Sequence, residues 1–77
     1  MLAPFRPRPR VLANAVCDRL IRFGTGATWL VKAWGEWPFA QTRTYEIVAP
    51  SDDVAAMEGI RRFVAEMEAW YDRRGRL

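Results

Sequence analysis

The chain has 77 residues, of which 51% are hydrophobic and 27% are charged, a composition typical of a folded globular domain rather than a disordered segment. It has no histidine and one cysteine, so it lacks the usual zinc ligand sets, any Ser/His or Cys/His nucleophilic pair, and an intramolecular disulfide. We therefore expect a protein that is not an enzyme and that holds no cofactor or metal.

The net charge of +3 lies entirely within the first ten residues, which contain Arg6, Arg8 and Arg10 and no acid. Prolines alternate with these arginines, so we predict an extended basic arm at residues 1–10, followed by a single small α+β domain at residues 11–77. The PRPR stretch resembles the arginine-proline arms that AT-hooks lay in the DNA minor groove. That resemblance implies contact between these three arginines and a nucleic acid or another polyanion.

Residues 11–23 fit a helix better than a strand. Apolar residues at steps of three and four would form one side of it: Leu12, Val16, Leu20 and Phe23. Gly24 stands where a helix cap is expected, and we interpret Cys17 as a small core residue on this helix. The alternative makes residues 19–23 a strand that turns through residues 24–26 into the next one.

Residues 28–34 and 42–48 are rich in β-branched and aromatic side chains and flank a loop that contains glycine and proline, which predicts a β-hairpin. Alternation assigns Trp29, Val31 and Ala33 to one face of the first strand. On the other face, Lys32 and Glu46 form a plausible ion pair across the strands.

Residues 49–75 predict a long amphipathic helix, with Ser51 as its N-cap and Gly75 at its end. Its apolar face is predicted from residues at three- and four-residue steps: Met57, Ile60, Val64, Met67 and Tyr71. Gly59 lies at the edge of this face, where it would let a strand or a large ring approach closely. The predicted fold is αββα, and the alternative with a third strand is βββα.

The tip of the hairpin, WGEWPF at residues 34–39, is the first candidate site. If Trp34 closes the strand, Trp37 and Phe39 project from the loop beside Glu36 as anchors for a protein partner. The alternative is that one or both rings fold back over the core. Stacking on unpaired bases is less favoured, because Glu36 places a negative charge beside the rings.

The segment TYEIVAPSDDVAAMEGIRRFVAEME, residues 44–68, resembles the strand-to-helix unit of many very small phage and mobile-element proteins. In size, in its lack of catalytic groups and in its α+β plan, the chain is similar to phage inhibitors of bacterial defence such as anti-CRISPR proteins. This resemblance covers about a third of the chain. It implies an inhibitor that occupies a surface of a host protein or nucleoprotein complex, since the basic arm argues against mimicry of nucleic acid.

Three hypotheses follow from the sequence. The first is a non-catalytic protein-binding protein, of the phage-inhibitor kind, that docks through the hairpin tip. The second is a small nucleic-acid-binding protein that uses the arm, and the third is a homodimer formed through the second face and the free edge of the hairpin. The longest uncharged stretch, residues 23–31, falls short of the roughly 20 residues that span a bilayer, so we expect a cytoplasmic protein without a membrane partner.

Overall fold

The computed structural model describes residues 9–23 and 26–74 of the chain, and side chains are described for residues 9–18 and 27–74. The elements, in chain order, are β1 (Ala13–Phe23), β2 (Gly26–Gly35), β3 (Thr42–Ala49) and α1 (Asp52–Arg74). The strands form one antiparallel sheet in the order β1-β2-β3, and α1 packs across all three. Within these residues, no helix is long and apolar enough to cross a membrane.

The fold is the βββα alternative, and the predicted helix at residues 11–23 is wrong. In β1, the residues that face α1 are small ones, Ala13, Ala15 and Cys17, and they alternate with exposed residues. Leu12 and Val16, which suggested a helical stripe, are 50% and 52% exposed on the opposite face. When small residues fill the inner face of a strand and large apolar residues stand on its outer face, the period of two is obscured, and the spacing of the larger residues then resembles that of a helix.

The predicted faces of the hairpin are confirmed. The inner sheet face, which α1 covers, includes the buried residues Val31 and Ala33 of β2 and Ile47 of β3. Lys32 lies opposite Thr44, and Glu46 lies opposite Leu30, so the two charges expected to pair are diagonal neighbours on the outer face.

The C-terminal helix begins where the sequence predicted. The Ser51 hydroxyl accepts a hydrogen bond from the Val54 amide at 3.4 Å, as an N-cap does, and Asp52 and Asp53 place negative charge in the first turn. The predicted end at Gly75 lies outside the described residues.

The apolar face of α1 is rotated from its predicted centre. Its fully buried residues recur at every fourth position: Ala55, Gly59, Phe63 and Met67. Met57, which was expected on this face, is 71% exposed. In its N-terminal half the helix turns the small residues Ala55 and Gly59 to the sheet, which permits a close approach, so size matters here as much as hydrophobicity.

Gly59 sets the distance between α1 and β2. A Cβ atom at this position would overlap with Cγ1 of Val31 and would lie 3.2 Å from Cβ of Val31. Val31 is fully buried and branched at Cβ, so its side chain has no room to move aside. The prediction that Gly59 admits a strand is therefore confirmed.

We predict that Gly59→Ala lowers the free energy of unfolding by about 1–2 kcal/mol, because overpacking against Val31 outweighs the gain of about 1 kcal/mol in helix propensity. Urea denaturation followed by circular dichroism measures the change. Ala69→Gly, on the exposed side of α1, is the control and loses about 1 kcal/mol through propensity alone. An unchanged or increased stability of Gly59→Ala would contradict the close packing.

Candidate functional site

The loop between β2 and β3, residues 36–41, is called the hairpin loop below, and its backbone is fixed by four hydrogen bonds. Within the loop, the Phe39 amide donates to the Glu36 carbonyl and the Gln41 amide donates to the Phe39 carbonyl, both at 2.7 Å. The Gly35 amide donates to the Gln41 carbonyl at 3.2 Å, and the Glu36 amide donates to the Leu12 carbonyl at 3.3 Å. The loop is therefore tied both to itself and to the chain segment that enters β1.

Phe39 belongs to the core. Its side chain is fully buried, and its ring centroid lies 6.3 Å from that of Trp70 and 5.8 Å from that of Tyr71, in edge-on and tilted arrangements. It shares a cluster of buried residues with Ala33, Phe63 and Met67. The expectation that Phe39 projects from the loop is therefore wrong. The ring turns inward because the aromatic side chains at the end of α1 give it an apolar environment, which solvent does not.

Trp37 points the other way and is 87% exposed. It is joined to the half-buried Pro38 by a cis peptide bond, and Glu36 beside it is also exposed. Trp34 is half-buried on the outer face of β2, opposite Asn14. Of the residues predicted to bind a partner, Trp37 and Glu36 stand in solvent at the loop, Trp34 belongs to the sheet, and Phe39 is inside.

Gly35 allows the hairpin loop to lie against the helix. A Cβ atom at this position would lie 2.7 Å from the Phe39 carbonyl oxygen and 2.9 Å from Cε1 of Phe63. Because one of these neighbours is backbone, any larger residue would push the loop away from α1. The sequence pattern located the turn but did not indicate this contact.

A polar network supports the loop from the side of β3. The Arg43 guanidinium donates to the Gln41 side chain at 2.6 Å and to Glu66 of α1 at 3.2 Å, while the Tyr45 hydroxyl donates to the second carboxylate oxygen of Glu66 at 2.5 Å. The sequence pattern did not indicate this network, which joins residues of β3 to a helix residue more than 20 positions away. The network fixes the start of β3 against α1.

The network shifts the pKa values of its members. Burial, followed by the hydrogen bond to Glu66, raises the pKa of Tyr45 to about 12. The hydrogen bond from Tyr45, reinforced by Arg43, holds the pKa of Glu66 below its usual range. Both shifts favour the state in which Tyr45 is neutral and Glu66 is ionised.

Three arginines near the hairpin-loop end of the molecule are exposed: Arg10, Arg73 and Arg74. The guanidinium of Arg74 lies 4.8 Å from the ring centroid of Trp70, over its face, and Arg73 precedes it at the end of α1. Arg10 is also exposed, two residues before Leu12. Arg6 and Arg8, predicted to contact polyanions, lie outside the described residues.

Among the described residues, no group of three or more His, Cys, Asp or Glu side chains is arranged to hold a metal ion. Cys17 lies on β1 rather than on a helix, half-buried, and its thiol donates to the Asp52 carbonyl at 3.5 Å. Burial, with the negative charge of Asp52, raises the pKa of the Cys17 thiol, which disfavours the reactive thiolate.

Comparisons of the chain with protein-family models, with curated proteins and with solved structures found no match.

We predict different effects on stability for the two aromatic residues of the hairpin loop. Phe39→Ala removes a fully buried ring and should lower the free energy of unfolding by about 3–5 kcal/mol. Trp37→Ala removes an exposed ring and should change it by no more than about 0.5 kcal/mol. Chemical denaturation of both variants measures the difference, and equal losses would contradict the inward and outward assignment.

We predict that stability declines at both ends of the pH range. Because its pKa is raised, Tyr45 contributes to the stability of the fold. This contribution is fully present below pH 10, the ordinary pKa of tyrosine, and is lost as the pH rises through about 12. Because its pKa is lowered, Glu66 also contributes to the stability of the fold. This contribution is present when the pH is above the ordinary pKa of glutamate and is lost as the pH falls through the lowered pKa of Glu66. Unfolding free energies measured across the pH range test both directions.

Tyr45→Phe should lower stability at neutral pH by about 1 kcal/mol and flatten the alkaline decline, because it removes the hydroxyl that Glu66 holds neutral. Tyr71→Phe, which removes a hydroxyl from another tyrosine packed against the cluster around Phe39, is the matched control and should keep that decline. An alkaline profile unchanged by Tyr45→Phe would show that the network does not contribute to folding.

Proposed function

We propose that this chain is a non-catalytic binding protein that docks on a protein partner through Trp37 of the hairpin loop. The single observation that carries this proposal is the 87% exposure of a tryptophan on a loop whose backbone is hydrogen-bonded at four points. Exposed large aromatic rings are costly in water, and tryptophan is enriched among the residues that dominate binding energy.

The backbone of the hairpin loop has little conformational freedom to lose when Trp37 binds a partner. Phe39, two residues away, is fixed in the core, and Gly35 lets the backbone rest against it. The backbone that carries the side chain is therefore already positioned, which lowers the entropic cost of binding. A flexible loop with the same residues would bind more weakly.

The kind of partner follows from the resemblance to small phage inhibitors. An inhibitor without catalytic groups acts by occupying a surface that its target needs, and a rigid aromatic anchor suits a pocket in a protein. A surface of a bacterial defence complex is the partner that this reasoning favours, with Glu36 as a polar contact at the rim of the anchor.

Affinity capture with tagged protein, followed by quantitative mass spectrometry, tests this function. Trp37→Ala should reduce the amount of its partner that is captured, with a loss of affinity of about 30-fold or more, as expected for a hot-spot residue of about 2 kcal/mol. Met57→Ala, an equally apolar and well exposed change on α1, is the matched control and should retain the partner. If Trp37→Ala captures the same proteins in the same amounts, the hairpin loop is not the anchor.

A second candidate is contact with nucleic acid, favoured by the way the fold gathers its arginines. The start of β1 and the end of α1 lie at the same end of the molecule, since Val11 and Trp70 pack against the same cluster around Phe39. Arg10 is thereby brought to the end that carries Arg73 and Arg74, although they are distant in sequence. The acidic first turn of α1 lies at the opposite end.

Fluorescence anisotropy with labelled single-stranded and duplex DNA tests this second candidate. Affinity should fall steeply with salt, and replacing Arg73 and Arg74 with glutamine should reduce the slope of log K against log salt by about 1 for each phosphate that is no longer neutralised. Arg61→Gln, an exposed arginine near the middle of α1, is the control. No binding at low salt would eliminate this function.

A further inference from the structure

The sheet has one face that nothing in the described structure covers. This outer sheet face carries four of the seven large hydrophobic side chains found exposed among the described residues: Leu12, Val16, Leu30 and Val48. Val48 is 77% exposed although its neighbours Ile47 and Ala49 are buried. An antiparallel sheet that faces only water usually presents polar residues there, whereas this face mixes large apolar residues with charged and polar ones.

The strand register arranges the outer sheet face in rows. Read across β1, β2 and β3, the central rows are Val16–Lys32–Thr44 and Asp18–Leu30–Glu46, with Asn14–Trp34–Thr42 on one side and Thr28–Val48 on the other. The one base of these rows, Lys32, is therefore adjacent to a row in which two acids flank a leucine. The charges of this face are therefore complementary to those of a second copy of the face that is rotated by 180°.

We propose that the outer sheet face binds a second copy of this chain, face to face, about a two-fold axis that crosses the strands between Leu30 and Lys32. The rotation places each Lys32 over the partner's Leu30. Its ammonium group then lies between the partner's Asp18 and the partner's Glu46, and the same contacts repeat in the opposite direction.

The distances suit this arrangement. Packed sheets lie about 10 Å apart and neighbouring strands about 4.8 Å apart, so a lysine stem can cross the interface over a leucine while its ammonium group reaches carboxylates on the flanking strands. The same rotation brings Trp34 over the partner's Thr28 and beside the partner's Val48, which gives the ring an apolar neighbour in place of water.

The charges select this axis over the alternative. A two-fold axis parallel to the strands would place Lys32 against the partner's Lys32 and Asp18 against the partner's Glu46, and both contacts are repulsive. The two acids on this face also oppose binding to phosphate groups and to anionic lipid surfaces. A second copy is the occupant whose charges match.

The dimer goes beyond the binding role of Trp37 and does not depend on it. Because the rotation reverses the strand direction, the two hairpin loops point to opposite ends of the dimer. A dimer of this kind presents two Trp37 side chains, which permits bivalent contact with a repeated or symmetric partner.

Sedimentation equilibrium over a concentration series tests the dimer. The full-length chain should reach twice its mass of 8.9 kDa. Lys32→Glu should weaken association by more than about 100-fold, because each new glutamate faces two acids of the partner. Arg61→Glu, the same change of charge on the exposed side of α1, is the matched control and should associate as the original chain does.

A pair of charge-swapped variants tests the proposed position of the two-fold axis. Asp18→Lys with Glu46→Lys makes the face wholly basic, whereas Lys32→Glu makes it wholly acidic, so neither variant should form a homodimer but a mixture of the two should form a heterodimer. Circular dichroism confirms that each variant is folded, and Val48→Asp, at an exposed position, provides a second disruption of the face. A chain that stays monomeric at every concentration, a dimer that survives Lys32→Glu, or a mixture that fails to associate would overturn the proposal.

Discussion

The fold depends on the close approach of one helix to a three-stranded sheet. Among the described residues, α1 is the element that covers the sheet, and a domain this small hides only about 60–65% of the surface that its unfolded chain exposes. Gly59 and Ala55 let the helix backbone come near Val31, and small residues of β1 complete the contact. This close contact is confined to the inner sheet face, so the described residues leave the outer sheet face uncovered.

The hairpin loop follows from the same constraint. The end of α1 offers Phe63, Met67 and the half-buried rings of Trp70 and Tyr71, a larger apolar surface than the strands alone can cover. Phe39 fills this position. Since the loop is short and hydrogen-bonded on both sides, drawing Phe39 inward leaves Trp37 in solvent. The exposed tryptophan is thus a consequence of how the core is closed.

The sequence predicted those elements in which the apolar residues follow one regular spacing. Ser51 and the long amphipathic stretch located α1, and alternation located the inner faces of β2 and β3. The prediction failed for β1, where alanines face the core while Leu12 and Val16 face outward. A hydrophobicity pattern gives more weight to these large exposed residues than to the small buried ones. For the loop, composition identified the aromatic pair, but the opposite directions of Trp37 and Phe39 depend on Gly35 and on helix residues far away in sequence.

Hydroxyl-radical footprinting read by mass spectrometry tests the central claim most directly, because it reports the solvent access of each aromatic side chain in the native state. Trp37 should be modified faster than the half-buried Trp29, Trp34 and Trp70, and Phe39 should stay protected until the chain is unfolded. Modification of Phe39 in the folded protein at the rate of the unfolded chain, or protection of Trp37, would contradict the account.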